Sequence, residues 1–216
     1  MKHRGIALLA GLVLLAALSL LALLAASGTV LQRNMAANYQ EQMQARQNAT
    51  IAANYAKSWL LSRRNHERQS ACLDNCILPV GILRAGTLPP QPEFESATWW
   101  QSNGFAAGFN PETMEALPTA DNGVEPARWL IEETHYQPTG DEQGENMAEV
   151  VAYYRILARG SARQLPSVSV VENIVARPWY GDFNAGSYPP GETGRAFCQQ
   201  FGGRYDCGNL SWQQKR

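Results

Sequence analysis

The feature that most constrains this chain is the stretch from Ile6 to Ser27: 22 consecutive residues without a charge, mostly leucine and alanine. As a helix rising about 1.5 Å per residue it would span about 33 Å, enough to cross a hydrocarbon core of roughly 30 Å. The apolar core of a cleaved secretory signal is shorter, about 7–15 residues. A small-residue cleavage site, Ala25-Ala26-Ser27-Gly28, nevertheless stands near its end. Lys2 and Arg4 precede the span, and the positive-inside rule puts that end in the cytoplasm and the remainder outside it.

The residues after the span extend the constraint. No glycine or proline lies between Gly28 and Cys72. The segment is rich in Ala, Gln, Arg and Met, which favour helix. Leu31, Met35, Tyr39, Met43, Ile51, Tyr55 and Trp59 recur on one stripe, which Ala45, Ala49, Ala52, Ala56 and Leu60 widen. One helix from Ile6 to about Ser62 would be roughly 85 Å long, with Ser27-Gly28 the natural place for a bend. The steps of four do not build a sustained heptad, so a long coiled coil is not expected.

Short basic leader, Gly5, apolar helix and amphipathic continuation together resemble the N-terminal signal of type IV pilins and type II secretion pseudopilins. The resemblance implies that prepilin peptidase cuts between Gly5 and Ile6 on the cytoplasmic side. The retained helix would then begin at a methylated Ile6. Major pilins carry glutamate at the fifth mature position, where this chain has Ala10. A bare carboxylate is costly at membrane depth, so that glutamate seeks the terminal amine of a neighbouring subunit. Its absence is similar to the tip-located members of the family. The string RGIALLAGLVLLAALSLLAL resembles the N-terminal signature of the PilX-like minor pilins. The strand-like runs RWLIEE, YYRILARGSA and SVSVVENIVARPW resemble that family's sheet.

The expected fold is therefore α+β and pilin-like: a long N-terminal helix packed on a small antiparallel sheet, with a C-terminal disulfide loop. Its parts are a leader (1–5), a transmembrane helix (6–28), an amphipathic continuation (29–68), a variable loop region (69–126), an antiparallel sheet (127–180) and a disulfide-bonded loop region (181–216). Within the loop region, EFESATWWQSNG reads as a short helix, with Trp99 and Trp100 as packing anchors. The first strand should alternate Trp129, Ile131, Glu133 and His135 against Leu130, Glu132, Thr134 and Tyr136. In the third, Val168, Val170, Ile174 and Ala176 share a face, with Glu172 as the exception. Polar loops between the runs read as an antiparallel meander, which needs the amphipathic helix as a cover.

Four cysteines allow three pairings. Cys72 and Cys76 have three residues between them, unlike a thioredoxin-type redox pair, and zinc there would have only His66 and His135 as remote partners. Cys198 and Cys207 flank eight residues with Gly202-Gly203 in the middle, which resembles the C-terminal disulfide loop of many pilins. That resemblance pairs Cys198 with Cys207 and leaves Cys72 for Cys76. A bridge from the 72/76 pair to the tail is the open alternative.

Charge is divided along the chain. Residues 1–76 have a net charge of +5 and the rest −6. An acidic C-terminal part argues against nucleic acid, whose phosphates need a basic face. No nucleophile elbow, phosphate loop, HExxH or dinucleotide fingerprint is present. His135 lacks a nucleophile and an orienting group in the sequence, and Asp121, Asp141, Glu142 and Glu145 do not match the calcium-loop spacing. A non-enzymatic subunit needing no cofactor or metal is expected.

The resemblance implies that its partners are other minor pilins, a tip adhesin, prepilin peptidase and, before assembly, inner-membrane lipid. It would span the inner membrane once, with its head periplasmic, and then reach the pilus tip. There it would prime assembly and support twitching motility and adhesion. A type II secretion tip pseudopilin is the alternative in the same superfamily. A signal-anchored periplasmic binding module is the alternative of another class.

Overall fold

A computed structural model describes residues 4–64, 67–68, 77–110, 115–116, 125–138, 150–163, 167–179, 197–199 and 206–216. Side chains before Leu8, at 24–27 and at 109–124 lie outside the description. Two compact units are present, Met1–Glu41 and Gln42–Arg216, each treated on its own below.

Helix α1 runs without interruption from Arg4 to Ser62, as the absence of glycine and proline after Gly28 predicts. It ends at Ser62, where the helical stripe predicts, six residues short of the Arg68 limit given to the amphipathic segment. Side chains take over its last carbonyls. Ser62 Oγ and Arg63 Nε both donate to Trp59 O, at 2.7 and 3.3 Å, and Arg177 Nη2 donates to Arg63 O. Arg64 N–H then turns to Glu67 Oε1 at 2.7 Å.

In the second unit, residues 45–60 of α1 lie on a sheet that is mixed rather than purely antiparallel. Strands β1 (Ile82–Leu83), β2 (Phe105–Ala106), β5 (Arg128–Pro138), β6 (Val150–Ser161), β7 (Val168–Trp179) and β8 (Gly208–Gln214) form it. The order is β1-β5-β6-β7-β8, with β2 also paired to β5. β5, β6, β7 and β8 are antiparallel neighbours, whereas β1 is parallel to β5. β3 (Phe109–Asn110) and β4 (Glu115–Ala116) form a separate two-stranded sheet. Strand β8 falls in the region expected to be only a loop. It has no β-branched residue, so its strand character comes from pairing with β7 rather than from propensity.

The helix meets the sheet through its small residues. Ala45, Ala49, Ala52, Ala53 and Ala56 are buried, followed by Trp59 and Leu60. Below them lie Trp129, Ile131, Ala152, Tyr154, Ile156, Ala158, Val171, Val175 and Trp179. Of the larger residues of the predicted stripe, Trp59 joins this core, whereas Ile51 is 51 % exposed. An alanine ridge lets the helix backbone approach the strands closely, and longer side chains are pushed to its flanks.

A second layer covers the other face of the sheet. Helix α2 (Ala97–Asn103) is capped by Ser96, whose Oγ accepts from Trp99 N–H at 3.1 Å. Its buried Trp100 packs on Leu130, Leu157 and Val170, and donates Nε1–H to Pro92 O at 3.1 Å. Both faces of the central strands are therefore apolar, so alternation sorts the residues of a strand by face without telling which face meets the helix. In β7 it is Val171 and Val175 that face the helix, while Val168 and Val170 belong to the opposite cluster. In β5 an irregularity between Glu133 and His135 shifts the register. Tyr136, not His135, joins the helix-side core.

Candidate functional site

In the first unit, the described large side chains of the apolar span, from Leu8 to Leu23, are all more than half exposed. Here α1 is long and apolar enough to cross a membrane. An apolar surface of this extent is stable in lipid or against other apolar helices, not in water. Gly5 and Ile6, the predicted cleavage pair, lie within the first turns of α1. Ala10 is exposed on it, and Ser19 satisfies its own hydroxyl by donating to Leu15 O at 2.8 Å. Ser27 and Gly28 are helical. A Cβ placed on Gly11 or on Gly28 would meet nothing within 4 Å.

The second unit holds a polar cluster inside its core. Arg68 grips Glu133 with both arms of its guanidinium, Nε to Oε2 at 2.8 Å and Nη2 to Oε1 at 2.7 Å. Tyr154 donates its hydroxyl to Glu133 Oε2 at 2.8 Å and accepts from Trp179 Nε1–H at 2.8 Å. Burial pulls the Arg68 guanidinium down, but its bonds and charge pairing with Glu133 and Tyr154 outweigh this and leave it raised. Burial, then the Glu133 charge, pushes the Tyr154 phenol well above its usual value. The fully buried Arg177 stands 3.4 Å over the Trp179 ring and 5.1 Å from Phe197. Burial lowers it to about 9, still protonated at neutral pH, so it stays a charged hydrogen-bond donor to the end of α1.

The disulfide Cys198–Cys207 is present, with its Cα atoms 5.4 Å apart. It ties the short helix that carries Phe197 to the start of β8, and so fixes Phe197 against Arg177. Cys72 and Cys76 lie outside the described residues, as do His66, Asp121, Asp141, Glu142 and Glu145. His135 is exposed and stacks on Tyr153 at 5.7 Å. Among the described residues no group of three or more His, Cys, Asp or Glu could hold a metal ion.

On the outer face, Arg155 bridges two carboxylates, Glu172 at 2.9 Å and Glu132 at 3.6 Å, and Lys215 reaches Glu172 at 3.4 Å. Glu172, the apparent misfit in a valine-rich strand, is thus the centre of a salt-bridge cluster. Sequence reasoning missed both clusters. The signal available was a set of charged residues inside apolar strands, Glu133, Arg155, Glu172 and Arg177, each of which demands a partner once buried.

The second unit has a buried, packed core, and in the first the described apolar side chains of α1 are exposed. No family model, curated protein or solved structure matches this chain.

Proposed function

We propose that this chain is a minor pilin of the PilX-like kind. It is held in the inner membrane by the first part of α1 and then incorporated with other minor pilins into a complex that primes a type IV pilus. In this reading the chain supports pilus extension, twitching motility and adhesion, and does no chemistry itself. The observation that carries the proposal is α1 itself. It is one helix from Arg4 to Ser62, apolar and exposed at its start and packed by an alanine ridge onto a sheet at its end. A disulfide stapling the C-terminal segment supports the same reading.

Ala10 sets the position of the subunit. Without a carboxylate there, it cannot pair with the terminal amine of a subunit already in place, so it enters first and stays at the tip. Ala10→Glu tests this. Immunogold labelling of sheared pili should find the wild type only at filament ends and the variant along shafts as well. Unchanged placement would remove Ala10 from the mechanism, and wild-type label scattered along shafts would count against the tip assignment.

A further inference from the structure

Strand β8 offers a surface that the described residues leave unused. β8 pairs with β7 on one side, and among the described residues no strand pairs with its other edge. Six of its seven residues are exposed. Free edges are normally blunted by charges or proline, and GNLSWQQ has neither. A register irregularity sits at Leu210, but from Ser211 the ladder is regular. It continues past the strand end through Lys215 N–H to Val170 O at 2.8 Å and Val170 N–H to Arg216 O at 2.9 Å. Leu210 and Trp212 are 47 % and 40 % exposed.

The neighbouring flank of α1 continues this surface. Arg46 lies 5.0 Å over the Trp212 ring. It also lines an open, largely apolar groove of about 300 Å³ formed with Met43, Gln47, Thr50 and Ile51. These are the long residues that the alanine ridge displaces from the core. A strand added beside β8 would satisfy the free backbone edge and bring its helix-side side chains toward this groove, the arrangement of β-augmentation.

The charges at the two ends of the strand identify the occupant. Asp206 precedes β8, and Lys215 and Arg216 follow it. Parallel pairing with a second copy would set like charges side by side. Antiparallel pairing about Ser211 sets Asp206 opposite Arg216, and Leu210 opposite Trp212. Both are favourable cross-strand combinations, and each occurs twice by symmetry. We propose that β8 is a self-complementary edge through which two copies of this chain pair antiparallel, with the exposed apolar side chains of each strand seated toward the groove of the other. A contact of this size belongs to the weak, transient class, below about 1,200 Å² in total.

The test is cross-linking of the full-length chain in detergent micelles, and it does not depend on the pilus reading. Two-fold-related Cβ atoms at the centre of an antiparallel pair stand about 4.5–5.5 Å apart. Ser211→Cys should therefore form a covalent dimer under mild oxidation, whereas Ser102→Cys on exposed α2 should not. In the Ser211→Cys background, Asp206→Arg or Arg216→Asp alone should reduce the dimer about fivefold, and the two together should restore it. A folding defect would not be rescued in that way. Absence of the dimer, equal cross-linking at Ser102→Cys, or failure of the double swap to restore it would overturn the proposal. Monomer that instead captures a foreign extended peptide on β8 would also overturn it.

Discussion

Gly160 of β6 lies directly against the backbone of Ala49 in α1. A Cβ placed on the glycine would come within 3.0 Å of the Ala49 amide nitrogen and of the Ala45 carbonyl oxygen, closer than real Cβ atoms stand. This contact sets the distance between helix and sheet. It explains why the buried side of α1 from Ala45 to Ala56 is alanine, with larger residues buried only from Trp59 on.

Gly160→Ala should therefore be strongly destabilising although it adds one methyl group. The obstacle is helix backbone, which cannot rotate away, and overpacking of this kind costs roughly 1–3 kcal/mol or more. Thermal unfolding followed by circular dichroism should show a lowered Tm. A Tm equal to that of the wild type would mean that the helix moves off the sheet without cost.

The Cys198–Cys207 bridge closes a loop of about ten residues, a stabilisation of up to about 3 kcal/mol in the chain-entropy model. Replacing both with serine should lower the Tm. It should also release Phe197 from Arg177, loosening the cap at the end of α1. Hydrogen exchange at Trp59–Arg63 reads this directly, and unchanged protection there would uncouple the tail from the helix end.

Tyr154→Phe removes the hydroxyl between Glu133 and Trp179, takes one hydrogen bond from Glu133 and leaves the Trp179 Nε1–H without its acceptor in the core, at a cost of about 1–3 kcal/mol at neutral pH. The pH dependence follows from the raised phenol. Its unfolded value is about 10, so its contribution is complete below that pH and is lost as the pH climbs above it, because the unfolded chain gives up the proton first. The stability gap between wild type and variant should narrow above pH ~10, by up to about 1.4 kcal/mol per pH unit. Denaturant titrations at several alkaline pH values measure it, and a constant gap would contradict the assigned environment. Arg177, lowered by burial, contributes with the opposite sign in both proteins.

The helix and the three long strands were legible because each is a long run with one dominant pattern. Less was legible where the deciding partner is distant or the pattern is shared by two faces. Glu133 and Arg68 are 65 residues apart, and neither position signals the other. Val170 and Val171 are equally apolar, and only the presence of α2 on one side and α1 on the other tells them apart. The irregularity beside Thr134 inverts the rest of β5 without a glycine or proline to mark it. β8 was invisible because GNLSWQQ becomes a strand only when β7 is beside it. Of the features the proposals rest on, the apolar span was plain in the sequence, while the β8 edge required the sheet order.

The central claim is that α1 begins at a processed, retained terminus, and the mass of the N-terminal peptide of the mature protein tests it most directly. The protein should be purified from membranes of a host that has prepilin peptidase, then digested and measured by mass spectrometry. The account predicts a first peptide beginning at Ile6 with one methyl group on its amine. A peptide beginning at Met1, or a mature chain starting at Gly28, would contradict it.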